Sequence, residues 1–366
     1  MSSLISKPKV VLGMSGGVDS SVAALLLKNK GYEVVGLMMH LWVDESSENA
    51  LENQIKSEKD AKKVADILGI EFHIVNFEKE FKEDVVKKFL SEYEKGVTPN
   101  PCVYCNKKIK FGCFYDKALE LGADFISTGH YAKITKNIDG NKCIGFADNR
   151  AKDQSYVLYH LDQDKINHLI LPLSDYTKEE IRSLAKKHKL PVFDKKESQE
   201  ICFIPDDDYK KFLKKYGKTK SKKGNVVNTS GEKIGEHNGI VNYTIGQRKG
   251  LGIASATPLY VVEINALRNE IVLGTREESN CKGIVVDEVV FTNKQDFEDG
   301  SDIMIKIRYN AKPTKAYIRH MNKKNEVKII FETPQMSPAP GQFADFYKDN
   351  CCIGGGIIAK GINNNN

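Results

Sequence analysis

The chain has 366 residues, 40% of them hydrophobic and 28% charged, with a formal net charge of +6 and a pI near 8.6. That composition is ordinary for a globular protein with room for two or three domains, and it neither demands nor excludes a polyanionic partner. No apolar run approaches the roughly 18 residues of a membrane span, and MSSLISKPKVVLGM lacks the apolar core of an export signal, so a cytoplasmic protein with no membrane partner is expected.

In chain order, KVVLGM (9–14) reads as a buried strand and SSVAALLLKNKG (20–31) as a helix closing on Gly31. YEVVGLMMHLW (32–42) is a second strand. SEKDAKKVADILG (57–69) reads as a helix opening on an S-x-x-D capping box and ending at Gly69. EFHIVNF (71–77) is a third strand, 78–96 a long helix, ADFISTGH (123–130) a fourth strand and 177–190 a further capped helix. This alternation predicts an α/β domain built on a parallel sheet with helices on both faces.

The texture changes near residue 206. KKFLKKYGKTKSKK (210–223) carries eight lysines and no acid, and a Gly-rich strand-like stretch follows at 224–255. From 258 onward, short β-branched strands separated by turns predict a small β-barrel. The expected domains are 1–208, a basic central domain at 209–276, a barrel at 277–362 and a disordered tail at 363–366. On base rates a lysine run is a solvated helix face; beside a phosphate-handling domain it is read as an RNA contact.

GMSGGVDSS (13–21) joins a strand to a helix. Gly13, Gly16 and Gly17 permit close backbone approach, the amides of Met14 to Val18 face the positive end of a helix, and Ser15 and Ser20 add hydroxyls. Asp19 is a candidate magnesium contact. No lysine stands where a Walker loop needs one. An N-cap would account for Ser-Gly-Gly alone, but SGGVDS in this context resembles the PP-loop of the ATP pyrophosphatases. That resemblance implies ATP as cosubstrate, with Mg2+, and cleavage to AMP and pyrophosphate as a substrate oxygen is adenylated. It also implies adenine near Met39 and a nucleotide contact at Gly129 in STGHYA (127–132). His130 reads as a structural residue or nucleotide neighbour ahead of a catalytic base.

TPNPCVYCNKKIKF (98–111), KDQSY (152–156), SQEICFIPDDD (198–208) and GQRKGLGI (246–253) stand in order and spacing such that the whole chain resembles the tRNA-specific 2-thiouridylase (MnmA/TrmU) family. The resemblance implies a sulfurtransferase that adenylates the C2 oxygen of the wobble uridine in tRNA for Lys, Glu and Gln, then delivers sulfur from a cysteine persulfide. Position by position, it makes Cys202 the persulfide carrier and Cys105 the nucleophile. It puts Asn100, Pro101 and Cys102 at the target base, and Lys152, Asp153, Gln154, Arg308 and Tyr309 on tRNA, whose anticodon arm is the partner. A cysteine desulfurase or sulfur-relay protein is the implied sulfur donor.

The chemistry agrees. Oxide is a poor leaving group, adenylation converts it to AMP, a persulfide supplies nucleophilic sulfur, and a second thiol cleaves the S–S link. The best-known members of the family carry aspartate where this chain has Cys102, which puts the base contact there in doubt. It also creates a three-cysteine set, Cys102, Cys105 and Cys202, that suits a [4Fe–4S] cluster with one open iron; this is the alternative route. A structural zinc knuckle lacks a second ligand pair at finger spacing. The remaining cysteines, Cys113, Cys143, Cys281, Cys351 and Cys352, read as buried thiols. Lys107, Lys108 and Lys110 are expected to lower thiol pKa values in the CNKKIK run. Two competing readings are a PP-loop synthetase of the amidotransferase type acting on a small molecule, and a tRNA-binding protein without ATP turnover.

Overall fold

The computed structural model describes residues 7–44, 46–196, 201–204, 208–218, 222–292, 298–309, 311–320 and 325–363. Parts of the persulfide segment (198–200 and 205–207), of the lysine run (219–221) and of the tail (364–366) therefore lie outside the described residues. The chain forms two compact units. The first comprises 1–85, 102–207 and 349–351; the second comprises 86–101, 208–348 and 352–366. Among the described residues no helix is long and apolar enough to cross a membrane.

The first unit is built on β1 (Lys9–Gly13), β2 (Glu33–His40), β3 (Glu71–Asn76), β4 (Phe125–Ser127) and β7 (Leu169–Ile170), all parallel, in the order β3-β2-β1-β4-β7. β5 (Lys133–Lys136) and β6 (Lys142–Gly145) pair antiparallel as a hairpin outside this parallel sheet. Val10, Val11 and Leu12 have no solvent exposure, as expected of a parallel strand covered on both faces. The strand order reverses at β1, so the crevice beyond the carboxyl ends of β1 and β4 is where a ligand of an open α/β sheet sits.

α1 (Val18–Asn29) follows β1 and gives way to Gly31 at φ +89°. α2 (Glu48–Leu68) starts nine residues ahead of the expected Ser57; Ser47 is its N-cap, and Gly69 closes it in the left-handed conformation as expected. Ser57 sits inside α2, so its S-x-x-D pattern is no capping box. The helix read at 78–96 is broken into α3 (Glu78–Phe81), a π-helical stretch over Lys82–Val86 and α4 (Lys87–Glu94). A helix the 3.6-residue pattern did not reveal follows: α5 (Pro101–Tyr104), a π-helical run over Cys105–Cys113 and α6 (Phe114–Glu120). Its i→i+5 bonding spoils the α-helical period that sequence reading relies on. α7 (Gln163–Asn167) precedes β7, and α8 (Lys178–Lys187) begins with a capping box of Thr177 and Glu180.

In the second unit, α9 (Tyr209–Tyr216) buries Phe212 and Leu213 and carries Lys210, Lys211, Lys214 and Lys215. Strands β8 (Gly224–Asn228), β9 (Lys233–His237), β10 (Tyr260–Asn265) and β11 (Glu270–Gly274) form one sheet in the order β10-β11-β8-β9. The strands at 260–274 thus belong to this four-stranded sheet and not to the barrel. The barrel is β12 (Asn280–Phe291), β13 (Asp302–Lys306), β14 (Thr314–His320), β15 (Val327–Met336), β16 (Phe343–Lys348) and β17 (Cys351–Asn363). Their order β12-β15-β14-β13-β16-β17 closes where β17 pairs back onto β12, leaving no free edge.

The reading of every cysteine as a thiol needs correction. Cys143 and Cys351 are joined in a disulfide, with Cα atoms 5.8 Å apart. That separation permits a bridge, and a sequence separation of 208 hid it from the sequence.

Candidate active site

The loop after β1 is preorganised by its own hydroxyls. Ser20 Oγ accepts from the Ser15 amide at 3.1 Å and donates to the Gly17 carbonyl at 3.3 Å. Gly16 has φ +69°, and a Cβ there would collide with the Ser57 carbonyl, so the position admits glycine alone. No side chain caps α1. Its first amides and dipole therefore face the crevice, the arrangement that receives phosphate.

Met14 and Val18 are buried on either side of the turn, and the Met39 methyl lies 3.8 Å from where a Cβ on Gly13 would stand. Gly129, beyond β4, abuts the loop; a Cβ there would press to 3.1 Å from the Ser20 amide. Gly13 to Ser20, Met39 and Gly129 are thus brought together at the switch point.

Three residues absent from the sequence reading complete the loop. Lys178, the first residue of α8 and 7% exposed, sets its ammonium 2.7 and 2.8 Å from the two carboxylate oxygens of Asp19. The Tyr131 hydroxyl donates to Asp19 Oδ1 at 2.6 Å. Lys195 donates to the Gly16 carbonyl at 3.0 Å and pairs with Asp60 at 2.8 Å. The missing Walker lysine was the available signal for a cation supplied from elsewhere.

KDQSY braces this arrangement. Gln154 accepts from the Tyr131 amide through Oε1 at 3.0 Å, and its own amide donates to the Tyr131 carbonyl at 2.7 Å. Asp153 is 2% exposed; it accepts from the Ala147 amide at 2.9 Å and the Ser155 hydroxyl at 2.8 Å. Lys152, in a 3-10 turn over Arg150–Lys152, is half-buried, as is Gln154.

Cys102, on α5, and Cys105, which opens the π-helical run, lie in the first unit with Cys202. Their thiols are mutually close enough to interact electrostatically. Burial pushes Cys105 up to about 11 against the opposing pull of Lys110, with Cys102 adding to the rise. Burial, then Cys105 and Cys102, push Cys202 up to about 12, again opposed by Lys110. Cys102 is also raised by burial and opposed by Lys110. Cys102 and Cys202 nonetheless keep an opening to solvent, so the thiols sit in a site walled by protein and open on one side.

The expected lowering by nearby positive charge is present at Lys110, but desolvation outweighs it and the net direction is upward. Lys107 acts on His160. Among the described residues no group of three or more His, Cys, Asp or Glu side chains is arranged to hold a metal ion. The three thiols are accordingly not set out as a metal site.

His130 is buried and accepts at Nε2 from the Lys110 ammonium at 3.4 Å. An ammonium only donates, so Nδ1 carries the proton and donates to Thr128 Oγ1 at 2.8 Å. Burial, reinforced by Lys110, holds its pKa well below the usual histidine range. The ring's one acceptor is engaged, which suits positioning and not proton abstraction. Sequence reading also missed His160, whose two buried ring nitrogens have no partner.

Of the remaining candidates, Pro101 is buried at the first position of α5, and Asn106 Nδ2 donates to the Cys102 carbonyl at 2.9 Å. Asn100, just before it, is half-buried. In the second unit, Arg308 donates at 2.7 Å to the Met336 carbonyl and also to that of Ser337. Tyr309 is 40% exposed.

Family models match nearly the whole chain: a tRNA methyl transferase HUP domain over 8–206, a tRNA methyl transferase PRC-barrel domain over 210–275 and an aminomethyltransferase beta-barrel domain over 281–358. The tRNA-specific 2-thiouridylase MnmA 2 of Clostridium botulinum is 46% identical over 356 residues, covering 97% of this chain and 99% of that protein. The tRNA-specific 2-thiouridylase MnmA of Carboxydothermus hydrogenoformans is 45% identical over 363 residues, 98% of this chain and 99% of its own. That of Clostridioides difficile is 43% identical over 360 residues, 97% and 99% respectively.

Proposed function

The chain belongs to the tRNA-specific 2-thiouridylase family, and from that premise we propose that it is an ATP-dependent tRNA sulfurtransferase converting the wobble uridine of tRNA to 2-thiouridine. The observation that carries the reading is the gathering of Cys105 and Cys202, 97 positions apart, in the unit that also holds the phosphate loop. The Lys110–His130 contact ties the thiol site to the strand end that abuts the loop.

The residues divide the work as follows. The loop amides and the start of α1 bind the triphosphate of ATP. The uridine C2 oxygen attacks the α-phosphorus, the α–β bridging bond breaks, and pyrophosphate leaves. The terminal sulfur of a Cys202 persulfide then adds to C2, and the C2–O bond breaks to expel AMP. A persulfide is more acidic than its parent thiol, so this sulfur carries charge where the thiol at about 12 does not. The Cys105 thiolate next attacks the Cys202 sulfur. The S–S electron pair goes to the sulfur on C2, which becomes the thiocarbonyl. The Cys105–Cys202 disulfide left behind is reset by an external dithiol reductant.

Asp19 already holds a cation in its carboxylate, the Lys178 ammonium. An acid of that habit at the phosphate loop suits the magnesium that accompanies ATP and offsets triphosphate charge. The target base is assigned to the segment of Asn100, Pro101 and Cys102. Contacts to tRNA are assigned to Lys152, Tyr309 and the exposed lysines of α9; Asp153, Gln154 and Arg308 act through the backbone they hold. A desulfurase or sulfur-relay protein loads Cys202.

The test is nucleoside mass spectrometry of tRNA incubated with the protein, ATP and a persulfide donor. Formation of 2-thiouridine with equimolar AMP is expected. AMP release that is indifferent to tRNA would favour the small-molecule synthetase instead.

A further inference from the structure

Lys178 stands where helix physics argues against a lysine. It occupies the first turn of α8, whose macrodipole favours the acids that follow it, Glu179 and Glu180. It is also buried, so its ammonium has lost most of its water. Both costs are offset by Asp19 at 2.7 and 2.8 Å. A pair that only fastened α8 to α1 would be replaced at little cost by apolar packing. Asp19 is moreover the one acid of GMSGGVDSS, fixed from the other side by Tyr131, and it holds the ammonium beside the first turn of α1, whose start no side chain caps. Lys195 holds a different part of the loop, through the Gly16 carbonyl, and is tied to Asp60 beyond it.

We propose that Lys178 is a phosphate-binding residue of the ATP site, presented to the loop by Asp19 and doing the work of the lysine a Walker loop carries within itself. The inference rests on the reading that the loop takes ATP. A triphosphate brings several negative charges to a site whose own loop supplies amides and hydroxyls but no cation. Lys178 supplies that charge from α8. Because it is borne on a separate helix, its position depends on how closely α8 packs on α1.

Equilibrium binding of ATP and of adenosine to the full chain tests this. Lys178→Met should weaken ATP about tenfold or more while leaving adenosine within roughly twofold, and Lys178→Arg should recover part of the loss. A merely structural pair would move both ligands alike or neither, and either result overturns the inference. Lys178→Met strands the Asp19 carboxylate, so the comparison is repeated in magnesium-free buffer between the wild type and Asp19→Asn with Lys178→Met, where no charge is left unpaired. Selective loss of ATP binding in the double variant supports the inference; equal ATP affinity in the two overturns it. A wild-type chain that binds neither ATP nor adenosine removes the underlying ATP reading instead.

Discussion

The Lys110 ammonium lies 3.4 Å from Nε2 of His130, and the π-helical register of Cys105–Cys113 is what aims it at the thiols. With i→i+5 bonding, a residue five positions on closes the turn over residue i. In an α-helix of 3.6 residues per turn it would lie ~140° away. Lys110 opposes the rise of all three thiols. Thiolate content, and hence alkylation rate, grows as pH climbs toward about 11 for Cys105 and about 12 for Cys202. Lys110→Met removes the lowering influence and moves both profiles to higher pH. Iodoacetamide labelling of the two cysteines, followed by peptide mass spectrometry, should slow several-fold at a given alkaline pH and recover in Lys110→Arg. Unchanged rates would refute this role.

Only two sulfurs exchange bonds in the proposed sequence. Cys105→Ser and Cys202→Ser should therefore each eliminate 2-thiouridine formation while pyrophosphate is still released in the presence of tRNA. Cys102→Asp, at a position given no bond to exchange, should remain active. An inactive, iron-containing wild type that Cys102→Asp depletes of iron would reverse the assignment.

Asp153→Asn separates architecture from tRNA contact. The carboxylate accepts from the Ala147 amide and the Ser155 hydroxyl in a buried position, and an amide presents a donor where an acceptor is needed. The expected cost is about 1–3 kcal/mol of stability, with tRNA affinity of the folded fraction preserved. Urea unfolding and filter binding at matched folded concentration measure the two. Full stability with lost affinity would return Asp153 to the tRNA surface.

His160 should make the protein acid-sensitive. Burial, then Lys107, lower its pKa from 6.5 to about 3; the nearby Asn106 backbone opposes this without reaching hydrogen-bond geometry. A group held neutral in the fold contributes stability that is complete above its unfolded value and is lost as pH falls toward the folded value. The loss therefore runs from about 6.5 down to about 3, with a slope near ~1.4 kcal/mol per pH unit for one proton. His160→Gln should flatten the pH dependence of the urea midpoint in that window. An identical dependence in the variant would assign the acid sensitivity to other groups.

What the sequence revealed follows from which forces are local. The phosphate loop was legible because Gly16 and Gly17 between a strand and a helix answer to backbone geometry alone. The core strands were legible because burial on both faces leaves continuous apolar runs. The helix carrying Cys105 was not, because π-helical turns break the period on which helix recognition depends. The 133–145 hairpin, flanked by lysines and short on apolar residues, left no strand pattern strong enough to read. Lys178, Tyr131 and the Cys143–Cys351 bond were invisible because their partners lie far away in the chain. Asp153 and Gln154 stood in a recognised motif, yet only their hydrogen bonds show them to be braces.

The second unit draws its α4 from residues far ahead of the rest of it. Tyr93 of α4 stacks on Tyr209 with ring centres 5.3 Å apart, and Phe89 meets Phe212 at 6.2 Å. On the ribosome, α4 emerges 115 residues before Tyr209, from Glu94 to Tyr209. At synthesis rates of about 5–20 residues per second, it waits roughly 6 to 23 seconds for its aromatic partners. For that interval its aromatic face lacks the rings it packs on in the folded unit, so this is the segment whose burial comes last relative to its synthesis.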